Sequence, residues 1–163
     1  MPKDSGIGAS PKRREDVRFL TGTGNYTDDI NLNGQAYVHF LRSDVAHGRL
    51  VSVDTSDAAA MPGVVRIFTG ADFEGVGGLP CGWQVTDRFG EVMQEPAHPV
   101  LAQGKVRHVG DHVACVVAET YAQAKDAGEL LDVDYGELPV CLSTADADKE
   151  GQPLVHDEIQ NNT

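Results

Sequence analysis

Two stretches of the chain have the hydrophobic pattern of a strand, a helix and a second strand in succession. In the first stretch, the apolar and β-branched runs 49–54 and 64–69 are typical of strands. Between them, Thr55 and the two polar residues after it offer a helix cap, the run 58–61 predicts a short helix, and a Pro-Gly pair ends it. Because a helix that joins two strands commonly makes a right-handed crossover, we expect parallel strands in each unit.

The second stretch carries the stronger helix signal. The near-continuous apolar run 113–118 predicts a strand covered on both faces. Thr120 and Gln123 match a capping box, in which Thr120 accepts a hydrogen bond from the amide three residues on and the Gln123 side chain reaches back. A helix over 121–131 would present one face of small and apolar residues, namely Ala124, Ala127, Gly128 and Leu131. Such a face lets the helix lie close to a sheet, and a last strand is expected at 132–135.

The remaining pattern is weaker. A helical turn is expected at 15–20, a strand at 35–42, and another strand at 105–109. Gly110 and Asp111 then predict the tip of a β-hairpin that leads into the buried strand.

Long irregular segments set the expected domain limits. The segment 70–104 is rich in glycine and proline and has no sustained period, which predicts a long surface loop. We expect a flexible N-terminal arm at 1–14, one domain at 15–150 and a linker at 151–163.

Composition and charge narrow the function. The chain has 163 residues, with 25 acidic and 13 basic side chains and a formal net charge of −12. A surface of this sign repels nucleic acid and anionic lipid, so neither is an expected partner. The sequence contains no apolar run of the length that a signal peptide or a membrane helix needs, so membrane insertion is not expected and we expect a cytoplasmic protein.

The clearest candidate for a metal site is the stretch "VRHVGDHVACVVAE" at 106–119. If 112–118 is a strand, His112 and Cys115 point to opposite faces and cannot bind one ion. His108, Asp111 and His112 could approach one another, but no fourth protein ligand completes a structural zinc site. A hairpin with polar residues at its tip is the favoured interpretation. Cys81, Cys115 and Cys141 are odd in number and widely spaced, which indicates reduced thiols.

Two aromatic side chains outside that stretch attract attention. His47 stands at the entrance of a predicted strand, where a histidine is usually a hydrogen-bonded turn residue, and Trp83 lies in the 70–104 loop, where a tryptophan usually plugs the loop against the body. Either could instead line a ligand path. The residues alone therefore indicate an acidic α/β domain without a recognisable catalytic constellation.

Four segments, in order, resemble a known family: "RREDVRFLTGTGNYTDDI", "RSDVAHGRLVSVDTSDAAAMPGVVRIFTGADF", "GKVRHVGDHVACVVAETYAQAKDAGELLDVDYGELP" and "PLVHDE". The chain resembles the N-terminal α/β-hammerhead domain of the large molybdenum-binding subunits of the xanthine dehydrogenase, aldehyde oxidase and aerobic carbon monoxide dehydrogenase family. The resemblance implies an α/β (α+β) hammerhead, with a mixed sheet, two strand–helix–strand units and helices packed on the sheet.

The resemblance also implies where the chemistry lies. The parent protein would catalyse oxidative hydroxylation or carbon monoxide oxidation with molybdopterin, or molybdopterin cytosine dinucleotide, and with iron–sulfur and flavin groups on partner subunits or domains. The cofactor and the catalytic glutamate belong to later domains, so no catalytic, cofactor or metal residue is assigned here. The linker 151–163 would lead to the C-terminal molybdenum-cofactor domains of the same chain.

For this domain the resemblance implies packing, shaping of a substrate channel, and contacts with those domains and with an iron–sulfur subunit. The candidate channel or interface contacts are His47, Trp83, Gly110, Asp111 and His112. This hypothesis predicts an exposed apolar patch where other domains pack. The alternative is a stand-alone module that binds a small molecule or a protein through the 70–104 loop.

Overall fold

The computed structural model describes residues 6–162, and contacts divide the chain into two units, Met1–Gln35 and Ala36–Thr163. In the first unit, helix α1 spans Asp16–Leu20, which confirms the predicted helical turn, and a short 3-10 turn spans Thr27–Asp29. Phe19 stacks on Tyr26 with 5.2 Å between ring centroids. Residues 1–5 of the predicted arm lie outside the described residues, and the arm's boundary stays a prediction.

Within residues 36–162, the second unit contains six strands and two α-helices. The strands are β1 (Tyr37–Arg42), β2 (Gly48–Asp54), β3 (Val64–Thr69), β4 (Lys105–Val106), β5 (His112–Ala118) and β6 (Asp132–Glu137), and the helices are α2 (Ser56–Ala59) and α3 (Tyr121–Gly128). They form two three-stranded antiparallel sheets with the orders β1-β5-β3 and β4-β2-β6. The predicted strands are all present within a few residues of their expected bounds.

The expected parallel crossovers are wrong. In each strand–helix–strand unit the helix carries the chain from one sheet to the other, since β2 and β6 lie in one sheet and β3 and β5 in the other. The strands of the two strand–helix–strand segments pair with each other: β3 runs antiparallel to β5, and β2 runs antiparallel to β6. A parallel crossover needs a connection of about a dozen residues or more, and the connection through α2 is shorter than that.

The expected hairpin at Gly110 is also wrong. Strand β4 pairs with β2 at Gly48 and Arg49, whereas β5 lies between β1 and β3 in the other sheet. Residues 107–111 therefore form a turn that links the two sheets. Turn chemistry in a sequence marks where the chain reverses, but it does not select the strand that will accept the hydrogen bonds.

Helix α3 packs on the β1-β5-β3 sheet through the face that the sequence predicts. Its buried residues are Ala124, Ala127 and Gly128, and the cluster also contains Ala58, Val116 and Ala118. Gly128 is needed for this approach, because a Cβ there would lie 2.5 Å from His39 Cδ2. The cap is confirmed in part: Thr120 accepts from the Gln123 amide at 3.2 Å, but the Gln123 side chain accepts from the Thr120 hydroxyl instead of reaching the backbone.

A second apolar cluster supports the β4-β2-β6 sheet. Its buried members are Ala102, Val106 and Val113, with partly buried side chains around them, namely Val45, Leu50, Val53, Val133 and Tyr135. The largest fully buried side chains in this part of the chain are one leucine and three valines. The interior is thus built from small residues.

The predicted loop between β3 and β4 begins with a 3-10 turn, Gly70–Phe73, and then leaves the body. Every residue from 74 to 95 is exposed, and we call this segment the exposed loop. The Leu79 amide, inside this loop, donates to the carbonyl of His98, just after the loop, at 2.7 Å. The chain then re-enters the interior at Leu101.

None of the helices in residues 6–162 has both the length and the apolar character required to cross a bilayer.

Candidate functional site

The turn between the two sheets holds two of the five candidate residues, Gly110 and Asp111, and a third, His112, follows it directly. The Gly110 amide donates to the Ser43 carbonyl at 2.7 Å, and the Ser43 amide donates to the Asp111 carbonyl at 2.8 Å. The Asp111 carboxylate accepts from the Arg107 amide at 3.0 Å. The turn is therefore held from both sides, and Asp111 serves first as a brace for its own turn.

His112 follows this turn at the start of β5. Its ring lies against Phe40 with 4.7 Å between centroids, and its Nε2 is buried without a hydrogen-bond partner among residues 6–162. Burial lowers the pKa of His112, because the charged imidazolium is poorly solvated there. Burial likewise raises the pKa of the Cys115 thiol on the same strand. Both groups are kept neutral at physiological pH.

His47 is an interior residue with 5% exposure. Its Nδ1 lies 2.8 Å from the Pro139 carbonyl oxygen, and the Leu138 amide donates to the His47 carbonyl at 2.9 Å. These bonds tie the chain beyond β6 to the turn before β2, which is the hydrogen-bonded role expected of a histidine at this position. A contact of His47 with a channel or a partner stays a prediction.

Trp83 is the opposite case, since it is 79% exposed in the exposed loop. Its carbonyl accepts from the Cys81 thiol at 3.3 Å. The ring does not plug the loop against the body, contrary to the usual role of a loop tryptophan. Gly110, Asp111 and His112 are thus brought together beside Ser43, while Trp83 stands apart from them in the loop.

No group of three or more His, Cys, Asp or Glu side chains within residues 6–162 is placed to hold a metal ion. His108 Nδ1 lies 3.9 Å from the Asp111 carboxylate, which is too long for a hydrogen bond. The polar side chains of the turn therefore brace the backbone.

Sequence reasoning missed a cavity of about 260 Å³ beside this turn. It is lined by Pro96, Ala97, His98, Pro99, Ala102, Arg107, His108, Asp111, Val155 and His156. Burial lowers the pKa of His156, and the nearby Arg107 cation lowers it further. The only feature of the sequence that pointed to this cavity was the alternation in Lys105-Val106-Arg107. It places the two cations on the face opposite a buried valine.

The segment after β6 closes one side of this cavity. Lys105 Nζ forms an ion pair with Asp157 at 2.7 Å, and this contact lowers the pKa of Asp157. The Asn162 side chain accepts from the Val155 amide and donates to the Pro153 carbonyl. Whether 151–163 also serves as a linker stays a prediction.

Comparison with known proteins decides the family. The family model described as "Aldehyde oxidase and xanthine dehydrogenase, a/b hammerhead domain" matches residues 21–139. The chain belongs to this hammerhead family. The predicted α/β-hammerhead class is thereby confirmed, although its single mixed sheet is replaced by two antiparallel sheets.

The relatives of this hammerhead chain are long oxidoreductase subunits. It is 38% identical over 159 residues to the carbon monoxide dehydrogenase large chain of Afipia carboxidovorans, covering 98% of this chain and 18% of the relative. It is 34% identical to the xanthine dehydrogenase molybdenum-binding subunit of Escherichia coli O157:H7, covering 88% and 19%. The crystal structure of quinoline 2-oxidoreductase from Pseudomonas putida 86 superimposes with a TM-score of 0.80 at 39% identity, covering 99% and 20%. The hammerhead chain thus spans about a fifth of the length of these proteins.

The N-terminus of α3 is partly closed to the pyrophosphate of a molybdopterin group. A pyrophosphate-bearing group is commonly held by free amides at a helix N-terminus. At α3, the one helix of eight residues in the described part of the chain, Thr120 already occupies the Gln123 amide. The largest fully buried groups are aliphatic side chains. No step of a molybdenum reaction is therefore assigned to these residues.

Proposed function

We propose that the chain serves as the hammerhead domain of the large, molybdenum-binding subunit of an oxidoreductase in the cytoplasm. The parent would catalyse oxidative hydroxylation or carbon monoxide oxidation, with molybdopterin held by domains that follow residues 151–163. The hammerhead domain would supply packing surface, channel walls and subunit contacts. The likeness to subunits about five times longer supports this proposal.

The observation that carries the proposal is the apolar character of the exposed loop. Its large exposed hydrophobic side chains are Val76, Leu79, Trp83, Val85, Phe89, Val92 and Met93. Large exposed apolar surfaces are rare on self-contained monomers and common where a protein packs against other domains. The loop is thus suited to lie against a further part of the parent.

The C-terminal molybdenum-cofactor domains and an iron–sulfur subunit are the proposed partners. The exposed loop and the turn at Gly110 are the proposed contacts.

The first experiment is an immunoblot of the source cells with antibody raised against this chain. A band several times larger than 17.4 kDa is expected. A band at 17.4 kDa would remove the proposal and favour a stand-alone binding module, because the chain would then work without further domains.

A second experiment tests the contact surface itself. Hydroxyl-radical footprinting of the native, full-length protein is compared with that of the isolated chain, in which Trp83 and Phe89 are exposed. We expect both rings to be protected from oxidation in the full-length protein. Equal oxidation in the two samples would contradict the proposed role of the exposed loop even if the large band is found.

A further inference from the structure

We propose that the cavity beside the inter-sheet turn is an oxyanion site, which binds a small carboxylate or phosphate-type anion through Arg107 and His156. The site is separate from the exposed loop and does not depend on the proposed function. It would be present whether the chain acts alone or within a larger enzyme.

Arg107 is the first support. Its side chain is partly buried, and its Nε has no hydrogen-bond partner among residues 6–162. No carboxylate in that part of the chain lies within ion-pair distance of the guanidinium, although acidic side chains outnumber basic ones by 25 to 13. Asp157 is near enough to interact with Arg107 electrostatically, but the buried Nε still lacks a hydrogen-bond acceptor. This is unfavourable, and an anion in the cavity would supply the acceptor.

His156 is the second support, and it lines the same cavity. Its Nδ1 is buried without a hydrogen-bond partner among the described residues, and the Glu158 carboxylate lies 3.7 Å away, beyond hydrogen-bonding distance. A neutral imidazole can place its proton on either nitrogen, so His156 can present an N–H to a ligand. Two residues that each have a nitrogen atom without a hydrogen-bond partner therefore line the same cavity. Its volume of about 260 Å³ is large enough for several water-sized groups.

The other walls favour an anion over a cation. His98 and His108 add two further imidazoles to the lining. Asp111 is the one carboxylate there, and one of its oxygens is engaged by the Arg107 amide at 3.0 Å. The side chains do not form a metal-binding group within residues 6–162, so a cation has no ligand set. Guanidinium and imidazole N–H groups are the donors that oxyanions prefer.

The test is an NMR titration of the isotopically labelled chain with inorganic phosphate, sulfate and acetate, against chloride at the same ionic strength. We expect saturable shifts of the Arg107 Nε–H and the His156 ring signals with the oxyanions and not with chloride. Arg107→Gln should weaken binding by at least about tenfold, because it removes a charge-assisted donor. Lys149→Gln is the matched control, since Lys149 is an exposed cation paired with Asp146.

Each outcome decides the proposal. No saturable shift with any oxyanion up to about 50 mM, or equal binding by wild type and Arg107→Gln, overturns it, since a built site would bind more tightly than that. If Arg107→Gln does not fold, His156→Gln replaces it with the same expectation of weaker binding. A preference for phosphate and sulfate would identify a free tetrahedral anion as the ligand, whereas equal binding of acetate would identify a carboxylate. Both results support the site.

Discussion

The interior of the two-sheet unit and the exposed loop use apolar residues in opposite ways. The interior is filled with alanine and valine, and its largest fully buried side chain is Leu101. The exposed loop carries the only tryptophan of the chain, Trp83, together with Phe89 and Leu79. In an ordinary monomer the large apolar side chains supply most of the burial energy. Here seven large apolar side chains, including the tryptophan, lie exposed in one loop.

The interior and the exposed loop therefore have different roles. Small residues let α3 lie directly on its sheet, as the close approach of Gly128 to His39 shows. They also limit the stability that the unit can gain by itself, because burial energy scales with apolar area. The apolar side chains of the exposed loop remain available to pack against another surface. Four measurements test this difference between the two regions.

The largest effect is expected from removing the main interior side chain. Leu101 is 1% exposed, so Leu101→Ala leaves a cavity and should lower the free energy of unfolding by about 3 kcal/mol. Leu79→Ala is the matched control in the exposed loop, where the side chain is 54% exposed, and should change it by less than about 0.5 kcal/mol. Urea unfolding of the isolated chain measures both. Equal losses of unfolding free energy in the two variants would mean that the exposed loop contributes to the core as much as Leu101 does.

The next effect concerns the close contact of α3 with its sheet. Ala127 is fully buried, so Ala127→Leu should overpack the interface and lower the free energy of unfolding by about 2 kcal/mol. Ala122→Leu, on the exposed side of the same helix, adds the same atoms and should be nearly neutral. Thermal denaturation of the two variants checks this. A neutral Ala127→Leu would show that the helix can move away from the sheet.

The two regions should also differ in thiol reactivity. Cys81 is exposed in the exposed loop, whereas burial raises the pKa of Cys115 in β5. Because the thiolate is the reactive form, iodoacetamide at pH 8 should label Cys81 at least about ten times faster than Cys115. Mass spectrometry of the peptides gives both rates. Similar rates in the folded chain, with equal rates in urea as the reference, would contradict the burial of β5.

The smallest effect is a pH dependence at the edge of the interior. The folded pKa of His112 is below its ordinary value of 6.5 because of burial, so the unfolded state takes up its proton first. The stabilising contribution of neutral His112 is therefore complete above about pH 6.5 and is lost as the pH falls through the folded pKa. Urea midpoints from pH 7 to pH 5 should fall less steeply in His112→Gln than in wild type. Equal slopes in the two proteins would contradict the burial of the His112 ring.

Most single elements could be predicted from the sequence. The Thr120 cap and the small face at Ala124 and Ala127 are local features, and local hydrogen bonds and side-chain spacing determine them. The partners of the strands are not local. The apolar run of β5 correctly indicated a covered central strand, but nothing in it distinguished a parallel neighbour from the antiparallel strands β1 and β3. Shape matching between distant segments made that choice.

The candidate site shows the same limit. Gly110, Asp111 and His112 were found because they are adjacent in sequence, and the structure places the first two on one braced turn and His112 at the start of β5. The cavity was missed because Arg107 and His156 are far apart in the chain. Only the fold places both residues in the lining of one cavity, so a sequence pattern could not reveal the site.

The hydrogen bond from the Leu79 amide to the His98 carbonyl has an evolutionary consequence. This bond holds the two sides of the loop together near its base. The loop beyond the bond is therefore attached to the rest of the unit at one place. The entropic cost of closing a loop grows only slowly, by about 0.6 kcal/mol for each doubling of its length. Insertions, deletions and substitutions beyond this bond can therefore accumulate at little cost to folding. A new partner surface can arise there while the hammerhead scaffold keeps its sequence.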